Sequence, residues 1–541
     1  MDNLGDIFPM VVAAPYQANP VRLLESLQHC PGEHILLESA EIDSRQNLKS
    51  LLMVDASLKI VCHGQAVTVQ ALTDNGQCLL AFLNQQLSTH TTSSTATSTT
   101  FTFAPAAANL SEQERLTYVA NTEPLRILQQ QLNNTSQHPF GVFLAGVFAY
   151  DLLATFEQLP AVEQGQNTCP DYQFYLAETL FVIDHAKQQT ELLGILATGH
   201  NTEQPALAGN QEQRHQRLAQ RMGELMSRMQ SPLAASPTFA PTVALDFAQI
   251  SSTPDRAEFK RIVQNMKTHI AAGDIFQVVP SRTFSVPCHN ALASYAELKQ
   301  RNPSPYMFYL RTAEFELFGA SPESALKFTA SNRQVELYPI AGTRSRARAA
   351  DGSIRADQDS RIELALRQDT KELAEHMMLV DLARNDLARI ATTGSRYVAD
   401  LLKVDRYSHV MHLVSRVVAT LRADLDALDA YRACMNMGTL VGAPKISAAS
   451  LIRHAEQCRR GSYGGAVGYL NGEGDMDNCI VIRSAFVQNG KAIVQAGAGV
   501  VFDSNDDAEV QETEQKAGAV LQAILQANQS VASQPQQGEP H

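Results

Sequence analysis

Two pairs of glutamates, Glu372/Glu375 and Glu509/Glu512, are the residues of this chain best placed to do chemistry. Each pair has helical spacing, so its two carboxylates leave one face of a helix a turn apart. In the stretch from Lys371 to Asp381, Leu373, Met377 and Val380 are the expected apolar stripe, and Val510, Thr513, Ala517, Val520 and Leu521 are its counterpart around the second pair. Carboxylates brought together by two helices raise one another's pKa unless a cation lies between them. The combination asks for a hard divalent metal, and Mg²⁺ suits it because it takes few protein ligands and keeps positions open for water and an anionic substrate. The competing readings are two solvated helix faces, or a di-iron bundle. The bundle would need Glu-x-x-His pairs, whereas His376 directly follows Glu375.

Four further clusters hold more glycine and polar chemistry than packing requires. Gly319-Ala-Ser-Pro-Glu323 sets a carboxylate at a strand end, and Pro339-Ile-Ala-Gly-Thr343-Arg-Ser-Arg346 joins a tight turn to a hydroxyl and two guanidinium groups. Ser462-Tyr-Gly-Gly465 and Arg483 supply a phenol and a bidentate fork for a carboxylate. The run Gln495-Ala-Gly-Ala-Gly499 is expected to expose successive backbone N–H groups to an anion. A metal, guanidinium groups and backbone donors together imply a small, multiply anionic substrate.

The elements that must position these groups read as an α+β fold. Strands are expected at His34 to Ser39, Leu58 to Val69, Gly141 to Tyr150 and Glu178 to Asp184, with a tight turn at His63-Gly64-Gln65. The Ser/Thr/Ala run between Ser88 and Ala108 reads as a mobile loop insertion. A boundary is expected between residues 200 and 250, with a polar helix from Glu212 to about Gln230 and then the Pro-rich segment Ser231 to Pro241. This divides the chain into an N-terminal domain, 1–240, and a second domain, 250–527. The second domain opens with a helix carrying Phe259, Ile262, Val263, Met266 and Ile270 and ending at Gly273, followed by a strand from Ile275 to Pro280. Asn489-Gly490 marks a two-residue hairpin between Asn478–Val487 and Lys491–Gln495. Helices mixed with antiparallel sheet disfavour a Rossmann or barrel fold. The tail 528–541 is expected to be disordered.

Composition excludes several classes. A chain of 541 residues with 44% hydrophobic content can bury a large core, and a net charge of −13 with no run of basic residues longer than Arg459-Arg460 argues against a nucleic-acid surface. Eight cysteines with no Cys-x-x-Cys pair fit reduced thiols, the N-terminus is acidic where a signal peptide would be basic, and no apolar run is long enough to span a bilayer. The expected location is the cytoplasm. The chain contains no tryptophan.

Order and spacing of the clusters identify a family. Phe276-Gln-Val-Val-Pro-Ser281, Asn302-Pro-Ser-Pro-Tyr-Met307, Gly319-Ala-Ser-Pro-Glu-Ser324, Pro339-Ile-Ala-Gly-Thr343, the stretch from Glu372 to Asp386, Val410-Met-His-Leu-Val-Ser415 and Gln495-Ala-Gly-Ala-Gly499 together resemble the chorismate-utilising enzymes. The resemblance is closest to the anthranilate synthase component I family and runs from about residue 10 to about residue 525. It implies large, mostly antiparallel sheets packed with helices in an α/β sandwich. It also implies an oxo-acid lyase that makes anthranilate and pyruvate from chorismate and ammonia. By this resemblance Glu375 and Glu512 bind Mg²⁺, with Glu372 and Glu509 close by. Arg483, Tyr463 and the Gly497, Ala498 and Gly499 backbone take the enolpyruvyl side of the substrate, while Gly342 and Thr343 line the ring. Glu323 is the implied general acid at the departing C4 hydroxyl, and His412 assists loss of the C2 proton beside Thr343.

The alternatives within the superfamily are an isochorismate or an aminodeoxychorismate synthase; Gln277, where the former carry a water-activating Lys, and Ala341, where the latter commonly carry Lys, disfavour both. A non-catalytic tryptophan-binding scaffold is a third reading. No cysteine lies in the Gly-x-Cys-x-Gly elbow of a glutaminase, so ammonia is expected from a separate glutaminase subunit, in a heterotetramer of two plus two by resemblance. Glu38, Ser39, Asn302, Pro305, Tyr306 and Met307 match the family's tryptophan-binding motif, which implies feedback inhibition.

Overall fold

The computed structural model describes residues 4–27, 32–40, 47–107, 109–134, 138–198, 211–230, 245–349, 352–407 and 410–532. Among them, 23 strands join one continuous sheet system, and a separate two-stranded piece pairs Gln277–Val278 with Gly442–Ala443. Every ladder between strands is antiparallel except the short Asp6–Ile7 pairing with Asn133–Asn134. The expected mostly antiparallel architecture with helices packed on it is therefore what the chain adopts.

Two ladders stitch the halves of the sequence together. The strand His34–Ala40 pairs with Tyr306–Arg311, and Phe143–Phe148 pairs with Ala466–Asn471. Apolar side chains on one side of the sheets form a core that runs through both halves, from Leu58 and Phe174 to Val417 and Ile480. On the other side a second core is closed by three helices, Gln211–Gln230, Ala291–Arg301 and Asp506–Ala532. The first of these contributes Leu218, Met222 and Leu225 at helical spacing, so its polar sequence hides one apolar stripe.

Local chemistry explains the elements that bear on the site. The helix Arg256–Ala272 is capped by the Asp255 side chain and ends at Gly273, whose φ of +84° is the left-handed conformation that only glycine adopts freely. Asn489 and Gly490, with φ of +52° and +73°, make the expected primed turn between Ser484–Gln488 and Lys491–Gly497. The strand expected to run unbroken from Asn478 is interrupted: Met476–Ile480 and Ser484–Gln488 are separate strands, and Arg483 lies between them.

Three further expectations need correction. The Ser/Thr run is no loop but a hairpin, Thr91–Ser94 with Ser98–Thr102, added to Ala66–Ala71. Its β-branched threonines suit a pleated surface, and Thr99, Phe101 and Phe103 are buried, an alternation that the low complexity conceals. In the helix Thr370–Ala388, Met377 is exposed and His376 is buried instead, with Leu379, Val380, Ala383 and Leu387 completing the inner face. The last helix continues to Ala532, past the expected start of the tail; residues 533–541 and the segment Ser231 to Pro241 lie outside the described residues.

Gly146 and Gly468 face each other across the ladder that joins the halves. A Cβ on Gly468 would stand 2.2 Å from the Asp477 carbonyl oxygen, and one on Gly146 would stand 2.1 Å from that of Gln173. Backbone cannot yield as a flexible side chain can. Gly468→Ala is expected to lower unfolding stability by about 1–3 kcal/mol in a urea titration; an unchanged midpoint would show that the strands separate freely.

Candidate active site

The candidate site gathers around Arg483, which lies close enough to Glu323, His412, Tyr463 and Glu512 to act on their charges. Glu323 sits in the turn between Glu316–Ser321 and Ser324–Thr329, where its backbone N–H contacts Ser321 Oγ and its carbonyl accepts from Ile480. Its side chain is buried and accepts a hydrogen bond from Thr439 Oγ1 at 2.9 Å. Burial pushes this carboxyl up to about 8, against the opposing pull of Thr439, Lys516 and Arg483. Glu323 is thus a neutral acid at pH 7.

Opposite lies the strand pair Ile340–Ser345 and Val410–Thr420. Their register slips at Gly342, a bulge with φ of +81°, which turns Thr343 directly across from His412. Thr343 Oγ1 and His412 Nδ1 are 2.8 Å apart, and the Tyr407 ring packs edge-on against the imidazole. Burial, with Arg483 nearby, lowers the His412 pKa to about 4, so the ring is neutral.

Arg483 has a φ of +50°, rare for a side chain of its size. Burial lowers its pKa, and the Glu512 carboxylate is the charge that opposes this near neutral pH. The Tyr463 hydroxyl, pushed up to about 12 by burial, lies against Gly497, where an added Cβ would stand 3.0 Å from it. The Ala498 N–H donates to the Pro280 carbonyl and the Val500 N–H to Val278. Ala498 therefore offers no free donor and the Gly497 N–H is taken by the Tyr463 hydroxyl, so the expectation of successive free N–H groups contracts to Gly499. Gln277 faces Gly499, whose added Cβ would be 2.9 Å from Gln277 Nε2, and Gln277 Oε1 is buried without a partner.

The four glutamates stand at one side of this pocket. Glu372 pairs with Arg344 at 2.7 Å, Glu375 with Lys371 at 3.7 Å and Glu512 with Lys516 at 2.6 Å. Burial raises the Glu375 pKa, and the charges of Glu372 and Glu512 add to the rise, which places carboxylates of both helices within mutual reach. Glu509 is buried with Oε2 unpartnered, and burial followed by the Glu512 charge pushes it up to about 7. Burial opposes ionisation of Glu512 too, but Lys516 outweighs it. Among the described residues no three Asp, Glu, His or Cys side chains form a ready cation cage. An orphaned carboxylate oxygen and an all-oxygen donor set fit a hard cation held by few protein ligands.

Ser39 and Glu38 pair with Tyr306 and Met307, and Ser39, Pro305, Tyr306 and Met307 border a cavity of about 700 Å³. Glu38 borders the same cavity, and its carboxylate accepts from Tyr295 and Lys299, both at 2.5 Å. Asn302 ends the Ala291–Arg301 helix and does not reach the cavity wall.

The sequence matches the chorismate binding enzyme family over residues 80–522. Anthranilate synthase component 1 of Vibrio cholerae is 54% identical over 516 residues, covering 95% of this chain and 96% of the relative. That of Escherichia coli K12 is 53% identical over 514 residues, with 95% and 96% covered. The chain belongs to this family, on its anthranilate synthase component 1 branch. Among solved structures, anthranilate synthase component I from Streptococcus pneumoniae superposes with a TM-score of 0.65 at 29% identity, covering 87% of this chain and 92% of that one. The menaquinone-specific isochorismate synthase of Escherichia coli shares the fold, with a TM-score of 0.64 at 17% identity, covering 96% and 94%.

The chorismate-family motifs led to most of the pocket but not to Lys516 or Thr439. Lys516 reaches both Glu512 and the Gly497 carbonyl. Its position one turn after Glu512 was the signal available. Thr439 carries no motif and is found only through its contact.

The raised Glu323 pKa has a consequence for stability. Unfolded, the carboxyl ionises near its ordinary value of 4.5; folded, it stays protonated to about 8. The native state is therefore penalised increasingly as pH rises between these values, and a neutral isostere escapes the penalty. Glu323→Gln is expected to melt like the parent below pH 4.5 and progressively above it, in temperature, from there to pH 8. A variant that melts lower at pH 8 would mean that Glu323 is ionised in the fold.

Proposed function

We propose that this chain is the chorismate-converting component of an anthranilate synthase, forming anthranilate and pyruvate from chorismate and ammonia. The observation that carries the reading is a protonated buried carboxyl, Glu323, in one pocket with a neutral imidazole, His412, beside Arg483. This supplies an acid, a base and an anion site within a family in which the Vibrio cholerae and Escherichia coli relatives bear that name.

Arg483, Tyr463 and Gly499 bind the enolpyruvyl carboxylate, and Gly342 and Thr343 line the ring. The Gln277 carbonyl oxygen, buried and unpartnered, accepts an N–H of ammonia and aims its lone pair at C2; a neutral amide has no means to deprotonate water instead. The C2–N bond forms, the ring double bonds shift, and the C4–O bond breaks as Glu323 delivers its proton, so the hydroxyl leaves as water. Neutral His412, steadied by Thr343, then takes the C2 proton while the C3–O bond breaks, and pyruvate departs as its enolate, which recovers that proton from the imidazolium. Aromatisation drives this step, which is why a weak base suffices. Glu375 and Glu512, with Glu372 and Glu509 beside them, would hold Mg²⁺, which supplies charge neutralisation for the ring carboxylate of the substrate.

Ammonia comes from a partner. Burial raises the pKa of each of the seven described cysteines, the reverse of what a glutaminase nucleophile needs. A separate glutaminase subunit, in a two-plus-two assembly, is the corresponding proposal. The cavity beside Ser39 and Tyr306 is proposed to take tryptophan as feedback inhibitor.

The purified chain with chorismate, Mg²⁺ and ammonium is expected to generate anthranilate fluorescence without any partner. At a fixed concentration of unprotonated ammonia, the rate should fall as pH rises through about 8, where Glu323 loses its proton. Formation of isochorismate or aminodeoxychorismate would overturn the assignment of Gln277. Ser39→Phe fills the cavity wall and is expected to raise the tryptophan concentration for half-inhibition at least about tenfold, with activity retained; unchanged sensitivity would place the inhibitor elsewhere.

A further inference from the structure

His376 is fully buried yet polar, and neither binding nor proton transfer in the proposed reaction uses it. It follows Glu375 and stands one turn after Glu372 on the helix Thr370–Ala388. Its Nε2 lies 2.7 Å from Ser415 Oγ. Ser415 Oγ already accepts the Leu402 N–H at 3.0 Å, so its hydroxyl proton is left for Nε2, which puts the ring proton on Nδ1, on the side of the Ala341 backbone.

The two neighbours of the ring matter because of where they lie. Ala341 immediately precedes the Gly342 bulge that aims Thr343, and Ser415 is on the strand that carries His412. Glu372 Oε2 would stand only 3.2 Å from a Cβ at Gly342, so the glutamate turn and the bulge are in contact. Ser415 has a second side: it lines the cavity of about 700 Å³ beside Ser39 and Tyr306. Ser415 is therefore part of the cavity wall, and its hydroxyl, on the buried side, holds the helix that presents Glu372 and Glu375.

We propose that His376 is a positioning residue that fixes the Glu372–Glu375 turn against the catalytic strands, and that through Ser415 it makes cation affinity at that turn depend on what fills the cavity. This rests on the proposed metal and tryptophan sites. A ligand in the cavity shifts the helix only if it interacts differently with the two positions of Ser415, so the link is a claim about differential contact. Partners that orient ligating side chains typically change metal affinity about 10–100-fold when removed.

The test uses Mn²⁺ as the cation, followed by loss of its free electron paramagnetic resonance signal on titration with the purified chain. His376→Leu is expected to weaken Mn²⁺ binding about tenfold. His376→Gln, whose amide oxygen can accept the Ser415 proton, is expected to restore most of it. Ser415→Ala should still bind tryptophan, visible as a change in the ligand's own fluorescence because the chain has no tryptophan. It should lose the shift in Mn²⁺ affinity that tryptophan causes in the parent. A folded His376→Leu chain with parental Mn²⁺ affinity would overturn the positioning role; if that variant does not fold, parental behaviour of Ser415→Ala in both titrations does so. A parent chain that binds Mn²⁺ no better than Glu512→Gln would instead refute the metal site itself.

Discussion

Exclusion of water from a pocket crowded with titratable groups is the constraint on which this structure turns. In water Glu323 would be an anion, His412 part-protonated and Glu509 ionised. Burial reverses or strains each of these states, pushing Glu323 up to about 8, His412 down to about 4 and Glu509 up to about 7. The shifts have opposite chemical sense, so one dry environment yields an acid that keeps its proton and a base that stays free. Three cations, Arg344, Lys371 and Lys516, each take one of the glutamates, and the fourth retains an unpartnered oxygen. The pocket is balanced for added positive charge and an anionic guest.

Antiparallel sheet provides the walls that bury Glu323 and His412. The Gly342 bulge and the left-handed Arg483 lie where regular pairing would have pointed side chains elsewhere. Both are held by their neighbours: the bulge by the ladder with Val410–Thr420, and Arg483 by the flanking strands and the Ala320 N–H donated to its carbonyl. The helix bearing Glu509 and Glu512 is pinned from behind by Arg282, which is buried and bonds Glu514 and Thr513. The ladder between His34–Ala40 and Tyr306–Arg311 sets Ser39 beside Tyr306, so a cavity built from both ends of the sequence shares its wall with the catalytic strands.

Elements governed by local chemistry were legible in the sequence. The Asp255-capped helix, its stop at Gly273, the Asn489-Gly490 turn and the inward face of Val510, Thr513, Ala517, Val520 and Leu521 all follow from caps, turns and periodicity. The threonine hairpin was hidden because a low-complexity run masks alternation, and its stability comes from pairing with a strand some thirty residues away. Met377 and His376 exchanged places because hydropathy ranks methionine above histidine, whereas a buried hydroxyl at Ser415 reverses the order. The roles of Glu323, His412 and Arg483 came from resemblance to a family; spacing alone marks them only as polar residues near turns. Ala498 shows the limit of composition, since whether an N–H is free depends on a partner, Pro280, more than two hundred residues earlier.

The central claim is that burial holds Glu323 as a neutral acid at physiological pH. Infrared difference spectroscopy between the parent chain and Glu323→Gln reads this directly, through the carbonyl stretch of a protonated carboxyl. A band present at pH 7, missing in the variant and titrating away near pH 8, is the predicted result. A carboxylate signal from Glu323 at pH 7 would contradict the account, because the pocket would then be wet or compensated by charge and the acid would have to be another group.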